Sequence, residues 1–163
     1  MTRRASAERK RTGALAVEAA IVYSVLFILI LGLIVGGIGV FRYQQVACMA
    51  REGARWASVH GGDWQTDTTQ PAAAQDDILQ QAVLPFGVGM DPTAVSIQVQ
   101  LVDRAAPKVS EWDKVGHPPT ARDSSSNLVT NRVRVTVTYR WIPGALLVGP
   151  LNLSSSSEVN MWY

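Results

Sequence analysis

The residues with the most pointed chemistry lie on either side of Ala14. Arg9-Lys10-Arg11 is followed by Thr12 and Gly13, then by Ala14-Leu15-Ala16-Val17, and then by Glu18, the last charge before an apolar run from Ala19 to Phe41. Gly13, without a side chain, leaves the backbone there freer than any other residue would. A carboxylate near the start of a helix is favoured by the macrodipole. An ionisable group in a membrane segment is costly enough to suggest function by default. The alternative for Glu18 is an acid at the headgroup boundary that snorkels to water and does nothing specific.

Elsewhere the chain holds little to react with. His60 and His117 lie in unrelated segments with no cysteine beside them, so no zinc spacing exists, and His60 reads as a helix-end residue favoured by the dipole. Asp63 with Asp67 in a polar loop, and Asp76-Asp77 on a helix, lack the calcium-loop pattern and read as solvated acids. Serines 124 to 126 and 154 to 157 have no Gly-x-Ser-x-Gly elbow, and no glycine-rich phosphate loop with a following lysine occurs. Cys48, the single cysteine, cannot close an internal disulfide; it reads as a small packing residue, with an intermolecular disulfide or acylation as alternatives. Arg132, Arg134 and Arg140 share a strand face with Thr136 and Thr138, which is solvated or meets an acidic partner. The inventory points to no enzyme, no metal and no cofactor.

What positions Gly13 and Glu18 is the apolar run behind them. Ala19 to Phe41 is about 23 residues, and at about 1.5 Å per residue it covers the roughly 30 Å hydrocarbon core with some tilt to spare. Gly32, Gly36, Gly37 and Gly39 would weaken a helix in water, but bilayer helices carry more glycine. Five of the 15 basic residues and only Glu8 among the 13 acids precede Gly13. That basic excess predicts a cytoplasmic N-terminus and an extracytoplasmic remainder. The remaining residues carry a small net negative charge and no basic footprint for nucleic acid. The run is too long for an ordinary signal peptide, whose apolar region spans about 7 to 15 residues. Gln45-Val46-Ala47-Cys48 also lacks the aliphatic residue that a lipoprotein signal carries three before its cysteine, and it lies beyond the apolar run. A retained anchor, or one trimmed on its cytoplasmic side, is left.

The helical period persists beyond the run, with Ala47, Ala50, Ala54 and Ala57 on one stripe and Arg51 and Arg55 on another. Gly32, Gly36 and Gly39, then Val40, Ala47, Ala50 and Ala54, would let another helix approach closely, since small residues drive association in lipid. The alternative is that Gly and Ala are simply common in such helices. Gly61-Gly62 then ends the helix at a left-handed C-terminal position.

A basic stretch, a glycine, four small or apolar residues, a glutamate and a long apolar helix resemble the processing site of type IV prepilins and pseudopilins. With Ala50-Arg51-Glu52-Gly53-Ala54-Arg55 after the span, the pattern resembles the TadE-like family of pseudopilins from tight-adherence (Flp-type) pilus systems. The resemblance covers residues 9 to 60, with a weaker echo in the strand from Asn131 to Tyr139. Members usually carry an aromatic directly after the acid; here Ala19 stands there, and the first aromatic is Tyr23. The resemblance implies cleavage between Gly13 and Ala14 by a prepilin peptidase. It also implies a register role for Glu18 against a neighbouring subunit's amine. The implied partners are the peptidase, other pilins or pseudopilins, the inner-membrane assembly platform and membrane lipid, with no nucleic acid.

The sequence divides into a basic leader at 1–13, without apolar period and read as disordered, the helix and its extension at 14–60, and an outer domain at 61–163. The fold class expected is α+β, with an antiparallel sheet of about three strands and one short helix. Pro71 can begin that helix, and Ala74, Ile78, Ala82, Leu79 and Val83 give it an apolar face up to Pro85 and Gly87. Val95, Ile97, Val99 and Leu101 alternate with polar residues in a first strand. Residues 103 to 127 read as a long polar loop. A second strand, Leu128 to Ile142, turns Val133, Val135, Val137, Tyr139 and Trp141 one way. Ala145 to Pro150 is an apolar connection, and a third strand, Leu151 to Trp162, carries Leu151, Leu153, Val159 and Met161 on one parity. Long neighbouring strands with a short connection imply antiparallel pairing.

Two functional readings follow. One is a minor pseudopilin, processed after Gly13 and used in assembling a tight-adherence pilus or related secretion filament. The other is an unprocessed single-pass protein of the bacterial cytoplasmic membrane, whose outer domain binds a partner or envelope material.

Overall fold

The computed structural model describes residues 3–144 and 149–162, with side chains from Gly13 onward. The chain is α+β and divides into two units, Met1–Val40 and Phe41–Tyr163. Helix α1, Arg3–Val59, supplies all of the described first unit and the opening of the second. Its backbone is helical from Arg3, so the leader expected to be disordered continues the helix over residues 3–12. Hydrogen bonds four residues apart propagate cheaply once a long helix is nucleated.

The second unit divides from the first at 40/41 rather than 60/61 because α1 contributes to its core. Val46, Met49, Ala50, Ala54 and Ala57 are buried, and they recur at the three- and four-residue intervals of one helix face. After Val59 the helix ends without the expected left-handed glycine: Gly61 has φ −89°, and Gly62 opens a short helix α2, Gly62–Thr68. Asp63 and Asp67 therefore stand on a helix and not in a loop.

Pro71 lies outside any helix, and the expected single helix is a composite. It starts as α3, Gln75–Ile78, and passes through a π turn, Leu79–Val83, and a 3-10 turn, Leu84–Phe86. Asp77 Oδ2 accepts the Ala74 N–H at 3.0 Å, which satisfies one of the amides a helix start leaves unpaired. Gln75 Oε1 accepts Val99 N–H at 3.0 Å and so ties α3 to the sheet.

Among the described residues six strands follow: β1 Val95–Asp103, β2 Lys108–Glu111, β3 Thr120–Arg122, β4 Leu128–Thr130, β5 Arg132–Trp141 and β6 Leu151–Asn160. A four-stranded antiparallel sheet has the order β2-β1-β5-β6, and β3 pairs with β4 apart from it. Ile97, Val99 and Leu101 oppose Val137, Val135 and Val133. The expected alternation of β5 holds, with Val133, Val135, Val137, Tyr139 and Trp141 all buried. Burying a valine contributes roughly 1.5–3 kcal/mol, so this row is a large share of what folds the domain.

Two expectations are corrected. The polar stretch 103–127 holds β2, β3 and a 3-10 turn at Trp112–Lys114. Trp112 has no exposed surface and its Nε1 donates to Ala73 O at 2.6 Å, so one apolar anchor orders a polar segment. The strand expected from Leu128 to Ile142 is split at Asn131, which is 1% exposed. Its N–H donates to Pro119 O and its carbonyl accepts Met161 N–H. Its side chain accepts Arg104 N–H at 3.2 Å and donates to Pro118 O at 3.0 Å. A buried amide with its groups satisfied is stable there, and it diverts the backbone from one ladder to the other. In the apolar connection, residues 145–148 lie outside the described residues.

Candidate membrane span and assembly helix

From Gly13 the first unit presents its side chains outward. Gly13, Ala14 and Glu18 are exposed, and the positions of added Cβ atoms at Gly13, Gly32 and Gly36 are clear of any neighbour within 4 Å. Gly39 is half-buried. Ile28 and Leu33 are 68% and 79% exposed, and Val22, Phe27, Leu29, Leu31 and Val40 are exposed beside them. Monomeric soluble proteins rarely leave a contiguous apolar surface this long in water. The helix from Gly13 is long and apolar enough to cross a membrane, which makes it compatible with a single-pass anchor. Ser24 Oγ donates to Ala20 O at 2.8 Å, returning its one polar hydrogen to the helix as a hydrocarbon surrounding requires.

The small-residue stripe is divided between the units. Gly32 and Gly36 stand in the open, whereas Ala50 and Ala54 are fully buried and Ala47 half-buried in the second unit. The chain's own sheet and composite helix cover that part of α1. Gly53, between the two buried alanines, permits the approach: a Cβ there would lie 2.9 Å from Val83 Cγ2 and 3.3 Å from Val135 Cγ1. Sequence reasoning used Gly53 only as part of a family string. The signal that could have found it is its place, three residues after Ala50, on the buried alanine face.

Arg42, directly after the apolar run, was also missed. Its Nη1 donates to Gln45 Oε1 at 2.9 Å and to Val88 O at 3.1 Å, and its Nη2 donates to Gly89 O at 2.8 Å. Gln45 Nε2 donates to the same Val88 O at 3.0 Å. Gly89 has φ +69°, a left-handed backbone that glycine adopts without penalty. The i, i+3 spacing of Arg42 and Gln45 puts them on one helix face; the Gly-Val-Gly at 87 to 89 gave no sign of its destination.

The remaining polar candidates are occupied within the domain. Glu158 on β6 accepts from Arg132 Nη1 at 3.2 Å and from Arg134 Nη2 at 2.9 Å. The Arg134 hydrogen bond above all, joined by that of Arg132, holds its carboxyl below the usual glutamate range against the opposing effect of burial. The arginine row is thus partly neutralised internally, and Arg140 alone of the three is exposed. His60 stacks on Trp56 and His117 on Trp112, with ring centroids 3.8 and 3.9 Å apart. Cys48 is half-buried. Among the described residues, no three His, Cys, Asp or Glu side chains group as metal ligands. A groove of about 590 Å³ lies between residues 52–59 of α1, the composite helix and β6. The carboxylate that lines it, Glu52, is 3.6 Å from Arg55.

The geometry is that of an exposed apolar helix whose exit is built into a small sheet domain. No curated protein and no solved structure matches the chain significantly. The helix does have a match, and residues 56–163 lie outside it. Over residues 13–55, from the glycine ahead of the apolar run to the second arginine of its exit, this chain matches the family described as TadE-like protein.

Proposed function

We propose that the chain is a minor pseudopilin of a tight-adherence pilus or related secretion filament. The precursor is inserted with its N-terminus in the cytoplasm, and a prepilin peptidase cleaves it after Gly13. The observation that carries this reading is the extent of the family match, which opens at Gly13 and runs through Glu18 and the span to Arg55. The match associates the chain with tight-adherence pilus components. Gly13 and Ala14 are exposed, as a peptidase substrate requires. Glu18 is exposed on the same helix, where a neighbouring subunit's new α-amine could pair with it; α1 begins at Arg3, so Glu18 comes near a helix start only after cleavage has removed residues 1–13. The domain then acts as an adaptor for filament assembly and catalyses nothing.

Intact-mass and N-terminal analysis tests the reading, using full-length protein from hosts with and without a prepilin peptidase. The expected product with the peptidase begins at Ala14. A chain still carrying Met1 in that host overturns processing and favours the anchored envelope protein. In the processed protein, Glu18→Ala should leave membrane anchoring intact and reduce piliation at least several-fold. Unchanged piliation would remove the register role.

A further inference from the structure

The two edges of the four-stranded sheet are built differently. At one edge β2 is four residues long and carries Lys108 and Glu111. Just beyond it, Gln75 Oε1 takes the Val99 N–H at 3.0 Å. Short, charged and covered strands keep an edge from being extended by another chain. The β6 edge has none of these devices. It is ten residues long, pairs with β5 in unbroken register and contains no proline and no lysine. Its one charge, Glu158, is turned back to Arg132 and Arg134 on the neighbouring strand.

Two hydrogen bonds past the end of β6 show which of its backbone groups face outward. Met161 N–H donates to Asn131 O, on the β5 side, and Trp162 N–H donates the other way, to Ser58 O of α1 at 2.9 Å. Inward and outward groups alternate along an antiparallel strand, so Ser156, Glu158 and Asn160 point their N–H and C=O groups away from β5. Among the described residues none of these groups has a hydrogen-bond partner, and all three residues are exposed. They stand about 17 Å or more along the strand from Leu151, away from the end that the 145–148 connection joins. On the helix-side face, Ser155, Ser157 and Val159 are half-buried, whereas their β5 partners Val137, Val135 and Val133 are fully buried. Val159 and Trp162 also line the groove beside Val59.

We propose that the outer edge of β6, from Ser156 to Asn160, is a strand-addition site for an extended segment of a partner protein. Donors and acceptors repeating every second residue are matched by another backbone in the β conformation, and the side chains beside them set which segment fits. The segment alternates: apolar side chains lie beside Ser155, Ser157 and Val159, and polar side chains without an acid lie beside Glu158. Because α1 already takes the outward N–H of Trp162, the added strand ends level with Asn160. An apolar side chain at that end enters the groove against Val59, Val159 and Trp162. A second β6 could meet this edge only antiparallel, about an axis normal to the sheet, which also reverses its α1 from Phe41 to Val59; a separate segment carries no such constraint.

The test uses the full chain in dodecylmaltoside micelles. The probe is an acetylated and amidated peptide with the sequence of β5, Arg132–Trp141, whose valines alternate as the site requires. Without the peptide, the amides of Ser156, Glu158 and Asn160 should exchange hydrogen many-fold faster than those of Ser155, Ser157 and Val159. Saturating peptide should slow the first three at least several-fold. Ser156→Pro removes one outward donor and leaves the bonds to β5 in place; it should keep the thermal midpoint and weaken peptide binding at least several-fold. Outward amides protected without peptide at every protein concentration would mean that the chain covers its own edge. Protection that grows with protein concentration alone would make a second copy the occupant. Either result overturns the proposal, as does a peptide that leaves these amides unprotected or binds Ser156→Pro as tightly as the natural chain.

Discussion

Gly53 illustrates how much one missing side chain can decide. It sits on the helix face that Val83 and Val135 cover, at a separation that leaves no room for a Cβ. A larger residue would gain about 1 kcal/mol of helix propensity over glycine, but overpacking a closed core typically costs about 1–3 kcal/mol and sometimes more. Leucine adds four heavy atoms there, so packing outweighs propensity. Gly53→Leu should lower the stability of the outer domain by about 1–2 kcal/mol net, read from urea unfolding followed by tryptophan fluorescence; an unchanged midpoint would mean that α1 does not lie on the sheet at this point. Arg42 acts by the opposite logic, reaching out to gather two loop carbonyls rather than making way for a neighbour.

At the scale of the element, β5 and β6 carry the pH response. Glu158 reaches both Arg132 and Arg134 across the strand pair, and its carboxyl titrates below the usual range when the sheet is formed. A depressed acid stabilises the fold above its unfolded value, about 4.3. The contribution fades as pH falls through the lower, folded value. Because the pair is partly solvated, it is worth at most about 1 kcal/mol. The stability difference between the natural chain and Glu158→Gln should therefore be constant above about pH 5 and shrink toward more acid solution. Asp91 and Asp123 are also lowered, by Thr93 and by the Asn127 amide respectively; they are common to both proteins and cancel in the comparison. A difference that grew on acidification would show that Glu158 is not held by the arginines.

Taken as a whole molecule, the chain changes character at Phe41 and not at the end of its helix. Cutting before Phe41 removes an apolar surface exposed in the first unit. Cutting before Gly61 also removes Val46, Met49, Ala50, Ala54 and Ala57, which the sheet needs as cover. A fragment starting at Phe41 should be soluble and unfold cooperatively. One starting at Gly61 should aggregate or lack a cooperative transition, since losing several buried side chains at about 2–5 kcal/mol each for the larger ones exceeds the stability of a small domain. Size-exclusion chromatography and thermal unfolding distinguish the two, and a well-folded fragment from Gly61 would show that α1 is dispensable to the core.

The long apolar run, the basic residues ahead of it, the TadE-like pattern and the alternation of β1 and β5 were all legible in the sequence. Each is local: a run length, a spacing, or a period of two or of about 3.6 residues that the neighbouring residues alone establish. The tertiary structure decided what those patterns meet. It turned Ala50 and Ala54 inward on the chain's own sheet, divided a continuous β pattern at Asn131, and ordered a polar stretch around Trp112. It also brought the 87–89 loop to Arg42 across more than 40 residues of sequence. Such pairings rest on shape and on hydrogen-bond partners far along the chain, and neither leaves a periodic mark in the order of residues.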